Sequence, residues 1–129
     1  GDGGAINSLR PATRKSWLAQ NRLPSDVNYY SLVTFPQPDQ ISAALTSSYN
    51  KLARIDARND SQVIFYDQIV PGSTLMGYIN ADHWALAVPI ARTHPTLASL
   101  LVTQNAYPRE ALAEAMLRFV EEDLAASSR

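Results

Sequence analysis

A chain of 129 residues with 46% hydrophobic and 18% charged side chains can form one domain with a core, is too short for two, and is not disordered. Eleven basic residues against twelve acidic give a net charge of −1 with no long run of either sign, which excludes the electrostatic footprint of a nucleic-acid or anionic-membrane binder. With no cysteine, disulfides, thiolate metal ligands and a cysteine nucleophile are excluded as well.

The opening GDGGAINSLR reads as the middle of a loop. It lacks a start methionine and the basic-then-apolar order of a signal peptide. A chain cut from something longer would begin this way, and so would an expression scar. Residues 8–20, SLRPATRKSWLAQ, predict a short helix capped by Ser8, with Pro11 in its first turn and Trp17 and Leu18 as its apolar patch. NRLPSD breaks it. Residues 27–35, VNYYSLVTF, are rich in β-branched and aromatic types and nearly continuous in apolar character, the habit of a central α/β strand covered on both faces.

Over 40–56, Ile41, Leu45, Tyr49, Leu52 and Ile55 trace one stripe of an amphipathic helix, with Asp39 as its cap and DARND as its end. QVIFY at 62–66 suggests a short extended piece, PGS at 71–73 a turn, and TLMGYI at 74–79 a second strand leading into Asn80–His83. Residues 84–106 leave helix and strand open, although Pro89 and Pro95 argue against one long helix. In the closing PREALAEAMLRFVEEDLAAS, the positions of Leu112, Met116, Phe119, Val120 and Leu124 predict the buried side of a helix about 16–18 residues long. No apolar run approaches the roughly 18–20 residues of a transmembrane helix. The order of elements predicts an α/β fold.

Chemistry concentrates at NADHWA, residues 80–85, which holds one of only two histidines. His83 directly follows a predicted strand, and the C-terminal ends of strands are where α/β folds present reactive side chains. A buried structural imidazole is the competing reading. His94, in the proline-flanked ARTHPT, reads as a surface residue. A histidine base needs a carboxylate on its second ring nitrogen, and Asp56, Asp60 and Asp67 are the upstream candidates. Asp82 is a poor one, because neighbouring side chains on an extended segment diverge. Asp60 lies in RNDSQV, a turn that can present a short carboxylate and can equally be a plain Asn-Asp turn. Two histidines without HxxH or HExxH spacing give no metal ligand set, and GDGG lacks the strand and the GK[ST] of a phosphate loop, so neither metal nor cofactor is expected. Trp84 and Tyr78 flank His83 and read first as packing, second as the lining of an acyl pocket.

The order VNYYSLVTF, helix, RNDSQV, strand, NADHWA resembles the C-terminal portion of bacterial α/β-hydrolases of the lipase and esterase type. The resemblance covers roughly residues 8–90, and the closing helix fits the usual last helix of that fold. It implies that residues 1–129 are one C-terminal segment of an α/β-hydrolase domain, with Asp60 the triad acid and His83 the base. Both come in the chain order Ser, Asp, His of that fold. One departure is Ser61, where the family often has glycine. The larger one is the nucleophile: no G-x-S-x-G occurs, and Ser73 in PGST lies downstream of the acid and reads as a turn residue. The resemblance therefore implies a half-enzyme that hydrolyses nothing alone. Its partner would be the N-terminal half of the same hydrolase, or a second copy of the chain, and its substrate a small ester or lipid. The rival from another class is a non-catalytic α/β binding domain with a structural His83.

Overall fold

The computed structural model describes residues 3–87, 94–96 and 107–128. Two short helices open the chain, α1 at Gly4–Ser8 and α2 at Pro11–Gln20. Pro11 stands in the first turn of α2, where its missing N–H has no intrahelical partner to lose. Ser8 is not the cap that its position suggests. It closes α1, donating its hydroxyl to the Ala5 carbonyl at 2.7 Å, and Arg10 precedes α2 without a side-chain cap.

Strand β1 spans Tyr30–Thr34 and β2 spans Thr74–Ile79. They pair in parallel, Tyr30 opposite Thr74 and Thr34 opposite Ile79, with one residue of β2 bulged out where the register shifts between Ser31 and Leu32. Gly77, next to that shift, has φ +153°, a conformation open to glycine and strained for other residues. The expected strand 27–35 is thus shorter at both ends. Its ladder lasts only as long as its partner, with Thr74 N donating to Tyr29 O at one end and Phe35 N to Ile79 O at the other.

Parallel neighbours require a crossover. This one contains 3₁₀ turns at Pro38–Gln40 and Ala43–Leu45, helix α3 at Thr46–Ala53, and a further 3₁₀ turn at Phe65–Gln68. The single helix expected over 40–56 is therefore broken, and Asp39 lies within a 3₁₀ turn rather than at a helix cap. The break has a cause. Ser42 is held extended, at φ −59° and ψ 134°, by the Asp82 carboxylate, which accepts both its N–H and its hydroxyl. The apolar stripe survives in part: Ile41, Leu45 and Tyr49 are buried together with Ala53 and Trp84 packed against them, whereas Ile55 is 71% exposed. QVIFY does not extend either, contributing one isolated bridge, Asn59 to Ile64, before it turns.

Helix α4, His83–Ala87, starts just beyond β2, and helix α5 spans Arg109–Ser127. A second core cluster joins Ile79, Ala81 and Ala85 with Leu32, Tyr107 and Leu112. Helix α5 confirms the period and corrects the burial, because none of its stripe is fully buried and Leu124 is 42% exposed. Its 19 residues run about 28 Å, far wider than two strands about 5 Å apart. Contact is made by Phe119, edge-on to Tyr30 at 6.2 Å, and by the Tyr30 hydroxyl, which donates to Asp123 at 2.8 Å. An apolar groove of about 290 Å³ remains between β2 and α5, lined among others by Met76, Tyr78, Met116 and Phe119. The described residues thus form an α/β unit with a two-stranded parallel sheet. None of their helices is long and apolar enough to cross a membrane. The open reading over 84–106 resolves only as far as α4, and the remainder, apart from 94–96, lies outside the described residues.

Candidate active site

The C-terminal ends of β1 and β2 lie side by side, and the turn at 56–63 folds over them. Within that turn Asp60 is 4% exposed. Its Oδ1 accepts the backbone N–H groups of Gln62 at 2.9 Å and Val63 at 2.7 Å, an Asx turn in which the side chain replaces a backbone acceptor. This is why QVIFY cannot extend: its first N–H groups belong to Asp60. The backbone closes the turn from the other side, with Asp60 N donating to Val63 O at 3.1 Å.

His83 is the first residue of α4. Its N–H donates to the Asp60 carbonyl at 2.9 Å, and its Nδ1 lies 2.7 Å from Asp60 Oδ2. A carboxylate only accepts, so Nδ1 carries the hydrogen and Nε2 keeps its lone pair. The imidazole is 38% exposed on a carboxylate that is nearly sealed. That hydrogen bond raises the His83 pKa above its usual 6.5; burial opposes the shift, and the charges of Asp60 and Asp82 add to it.

The structure separates the other candidates. Asp56 is taken by Arg58, whose backbone N–H and guanidinium both donate to it and hold its carboxyl below the usual range. Asp67 pairs with Lys15 at 2.7 Å. Asp82 turns away from the imidazole, as the extended-chain geometry predicts, but it is not idle. It is fully buried and accepts N–H groups from Trp84 and Ala85 as well as both groups of Ser42. The sequence held a signal for this: Asp immediately before the short apolar run HWALA is a helix N-cap pattern. His94 is exposed. Ser73 sits 2.6 Å from the Ser31 hydroxyl, beside the turn at 71–73. Trp84 packs on the α3 cluster, and Tyr78 lines a groove to which His83 does not contribute.

Two further residues had no sequence signal. The Gln68 carboxamide accepts Thr34 N–H at 2.7 Å and donates to Thr34 O at 2.8 Å, imitating a neighbouring strand at the end of β1. The Thr34 hydroxyl is within reach of both Asp60 Oδ2, at 3.4 Å, and Gln68 Oε1, at 3.3 Å.

An imidazole held by a buried carboxylate thus stands beyond the C-terminal ends of two parallel strands. Among solved structures the chain is similar to a metagenomic carboxyl esterase, MGS0156, with 49% identity over 92% of this chain and a TM-score of 0.85. The match spans 36% of that esterase's length. No family model and no curated protein matches the chain. The resemblance to esterases read from the motifs is therefore met in sequence and in structure, over part of one such enzyme.

Ser61 yields a prediction of its own. It adopts φ +83°, the left-handed region that suits glycine, and its buried hydroxyl has no partner among the described residues. Such strain costs about 1–3 kcal/mol and an unpaired buried hydroxyl about as much. Glycine's extra chain entropy returns roughly 0.5–1 kcal/mol of that. Ser61→Gly should accordingly stabilise the fold by about 1 kcal/mol or more, raising Tm by roughly 4 °C in a calorimetric scan. A lower Tm would contradict the strain at this position.

The raised His83 pKa has opposite consequences for stability and for rate. The charged pair with Asp60 favours the folded state below the ordinary histidine value, and that contribution is lost as pH rises through the higher folded value. A base, however, must be neutral to accept a proton. On the reading of His83 as the base, the acid limb of kcat/KM would have its midpoint above 6.5, the value His83 starts from. A pH–rate profile with the midpoint below that value would contradict the His83–Asp60 pairing as the source of the limb.

Proposed function

We propose that this chain carries the acid and the base of a serine carboxylic ester hydrolase, with Asp60 orienting His83. The observation that carries the reading is the 2.7 Å contact between His83 Nδ1 and Asp60 Oδ2, which leaves Nε2 unused by that carboxylate on a half-exposed ring. The 49% identity to a carboxyl esterase supports the reaction class. The nucleophile and the oxyanion hole belong to residues N-terminal of Gly1, making residues 1–129 the C-terminal segment of an α/β-hydrolase domain. The unpaired edge of the two-stranded sheet is buried by that same N-terminal portion, or in its place by a second copy of the chain.

In the assembled site the serine hydroxyl attacks the ester carbonyl carbon as His83 Nε2 takes its proton. The imidazolium is stabilised by Asp60 through Nδ1–H and then returns the proton to the departing alkoxide, releasing the alcohol. Water, activated by the same nitrogen, hydrolyses the acyl-enzyme. Small esters and lipid esters both fit this chemistry.

A fluorophosphonate probe and a p-nitrophenyl ester, applied to the 129-residue chain and to a polypeptide extended upstream of Gly1, test the proposal. The chain alone should be unlabelled and inert, and the longer polypeptide should be labelled on a serine within an upstream G-x-S-x-G. Labelling of a serine inside residues 1–129 would overturn the assignment of the nucleophile. Hydrolysis that survives loss of His83 would overturn the assignment of the base.

A further inference from the structure

We infer that Asp82 is a positioning residue for the His83 base, clamping the first turn of α4 to Ser42 so that the imidazole meets Asp60 in one orientation. This rests on the reading of His83 as the base. The carboxylate is fully buried, and each of its oxygens is saturated. Oδ1 accepts Trp84 N at 3.0 Å and Ala85 N at 2.8 Å, while Oδ2 accepts Ser42 N at 2.8 Å and Ser42 Oγ at 2.5 Å. A buried carboxylate is tolerated only when its lone pairs are satisfied in this way.

Capping alone does not explain the arrangement. A serine or asparagine at the surface would serve the first N–H groups of α4. What Asp82 adds is its second oxygen, which reaches across the fold to a residue 40 positions earlier. That bond fixes α4 to the crossover segment and holds Ser42 extended between its two 3₁₀ turns. His83 stands between two anchors. Asp60 holds its N–H and its ring from one side, and Asp82 holds the N–H groups of the next two residues from the other. Rotation of α4 about its own axis would swing the ring off Asp60, and the Asp82–Ser42 clamp is what opposes that rotation.

The test uses three variants, Asp82→Asn, Asp82→Ala and Ser42→Ala, in the nucleophile-containing polypeptide, with His83→Ala as reference. Asparagine can keep an oxygen toward Trp84 and Ala85 but then turns an N–H₂ toward Ser42, whose hydroxyl can accept from it but whose N–H cannot, so it preserves the cap and weakens the clamp. Asp82→Asn should lower kcat roughly 10- to 100-fold, because misplacement on the order of 1 Å costs that much. KM should stay within about threefold, since a positioning fault acts on the chemical step. Ser42→Ala, which leaves the carboxylate and its cap intact, should lower kcat by a smaller factor in the same direction. The downfield proton of His83 Nδ1–H, followed by NMR in the same nucleophile-containing polypeptide, should broaden or move upfield in Asp82→Asn while Asp82→Ala does so more. Circular dichroism shows whether each variant is folded. If His83→Ala is inert while Asp82→Asn and Ser42→Ala retain wild-type kcat and an unchanged Nδ1–H resonance, the positioning role is overturned and the base stands. If His83→Ala retains activity, the reading of the base itself falls, and this inference falls with it.

Discussion

His83→Ala, made in a polypeptide that carries the nucleophile, is expected to lower kcat for ester hydrolysis by roughly 10⁴- to 10⁶-fold, the scale seen when a triad base is removed. The fold should persist. Asp60 keeps the Gln62 and Val63 N–H groups on Oδ1, and Thr34 Oγ1 remains within 3.4 Å of Oδ2. His94→Ala serves as the internal control: His94 is exposed, and its removal should change kcat by no more than about twofold. Steady-state assays on the two variants side by side decide the matter. Equal losses, or equal indifference, would show that the base has been misplaced.

Asp60→Asn should be nearly as severe, about 10⁴-fold in kcat, and the turn geometry says why. Oδ1 must remain an acceptor, because two backbone N–H groups point at it. The amide therefore cannot flip, and its N–H₂ is forced toward His83 Nδ1. That nitrogen then has to accept, so the ring hydrogen moves to Nε2, the atom that should take the serine proton. Asp60→Ala leaves the tautomer free, so it should be no worse than Asp60→Asn despite removing more atoms. Loss of the carboxylate should also move the acid limb of the pH profile down toward the ordinary histidine value. Asp67→Asn, which weakens a pair between the exposed Lys15 and the largely buried Asp67 carboxylate, should leave kcat unchanged. If Asp67→Asn proved the inactive variant, the acid would have to be reassigned.

The parts of this fold legible in the sequence are those governed by short-range pattern. TLMGYI between a Pro-Gly turn and a polar loop is β2 to the residue, and the period of the closing helix holds throughout α5. The misreadings arise where a distant side chain captures backbone groups. The apolar stripe of 40–56 holds at Ile41, Leu45 and Tyr49, yet Asp82 divides the helix by taking Ser42. QVIFY suggests an extended piece, yet Asp60 and Gln68 claim that segment for the turn. The pairing of Asp60 with His83 could be proposed because both motifs are local and their order follows a known pattern. The supports of that pair could not, since Gln68, Thr34 and Ser42 are common polar residues whose partners are set by the tertiary fold. Ser61 is instructive in another way. A departure from the resembling pattern marks the position where the backbone still adopts the glycine conformation.

The Gln68 carboxamide has a consequence for how the sheet can grow. Thr34 turns both of its backbone groups away from β2, and Gln68 occupies both of them. By alternation, Leu32 turns its groups to that same side, two residues further from the site. A strand approaching β1 from there finds a ladder that is open near its start and shut at its end. It can pair up to Leu32, but it is stopped before it reaches the turn that carries Asp60. The side chain thus acts as a ruler, fixing how far a neighbour can advance. It also blunts an edge that would otherwise offer its hydrogen bonds to any extended segment nearby, guarding the acid turn against mispairing during folding.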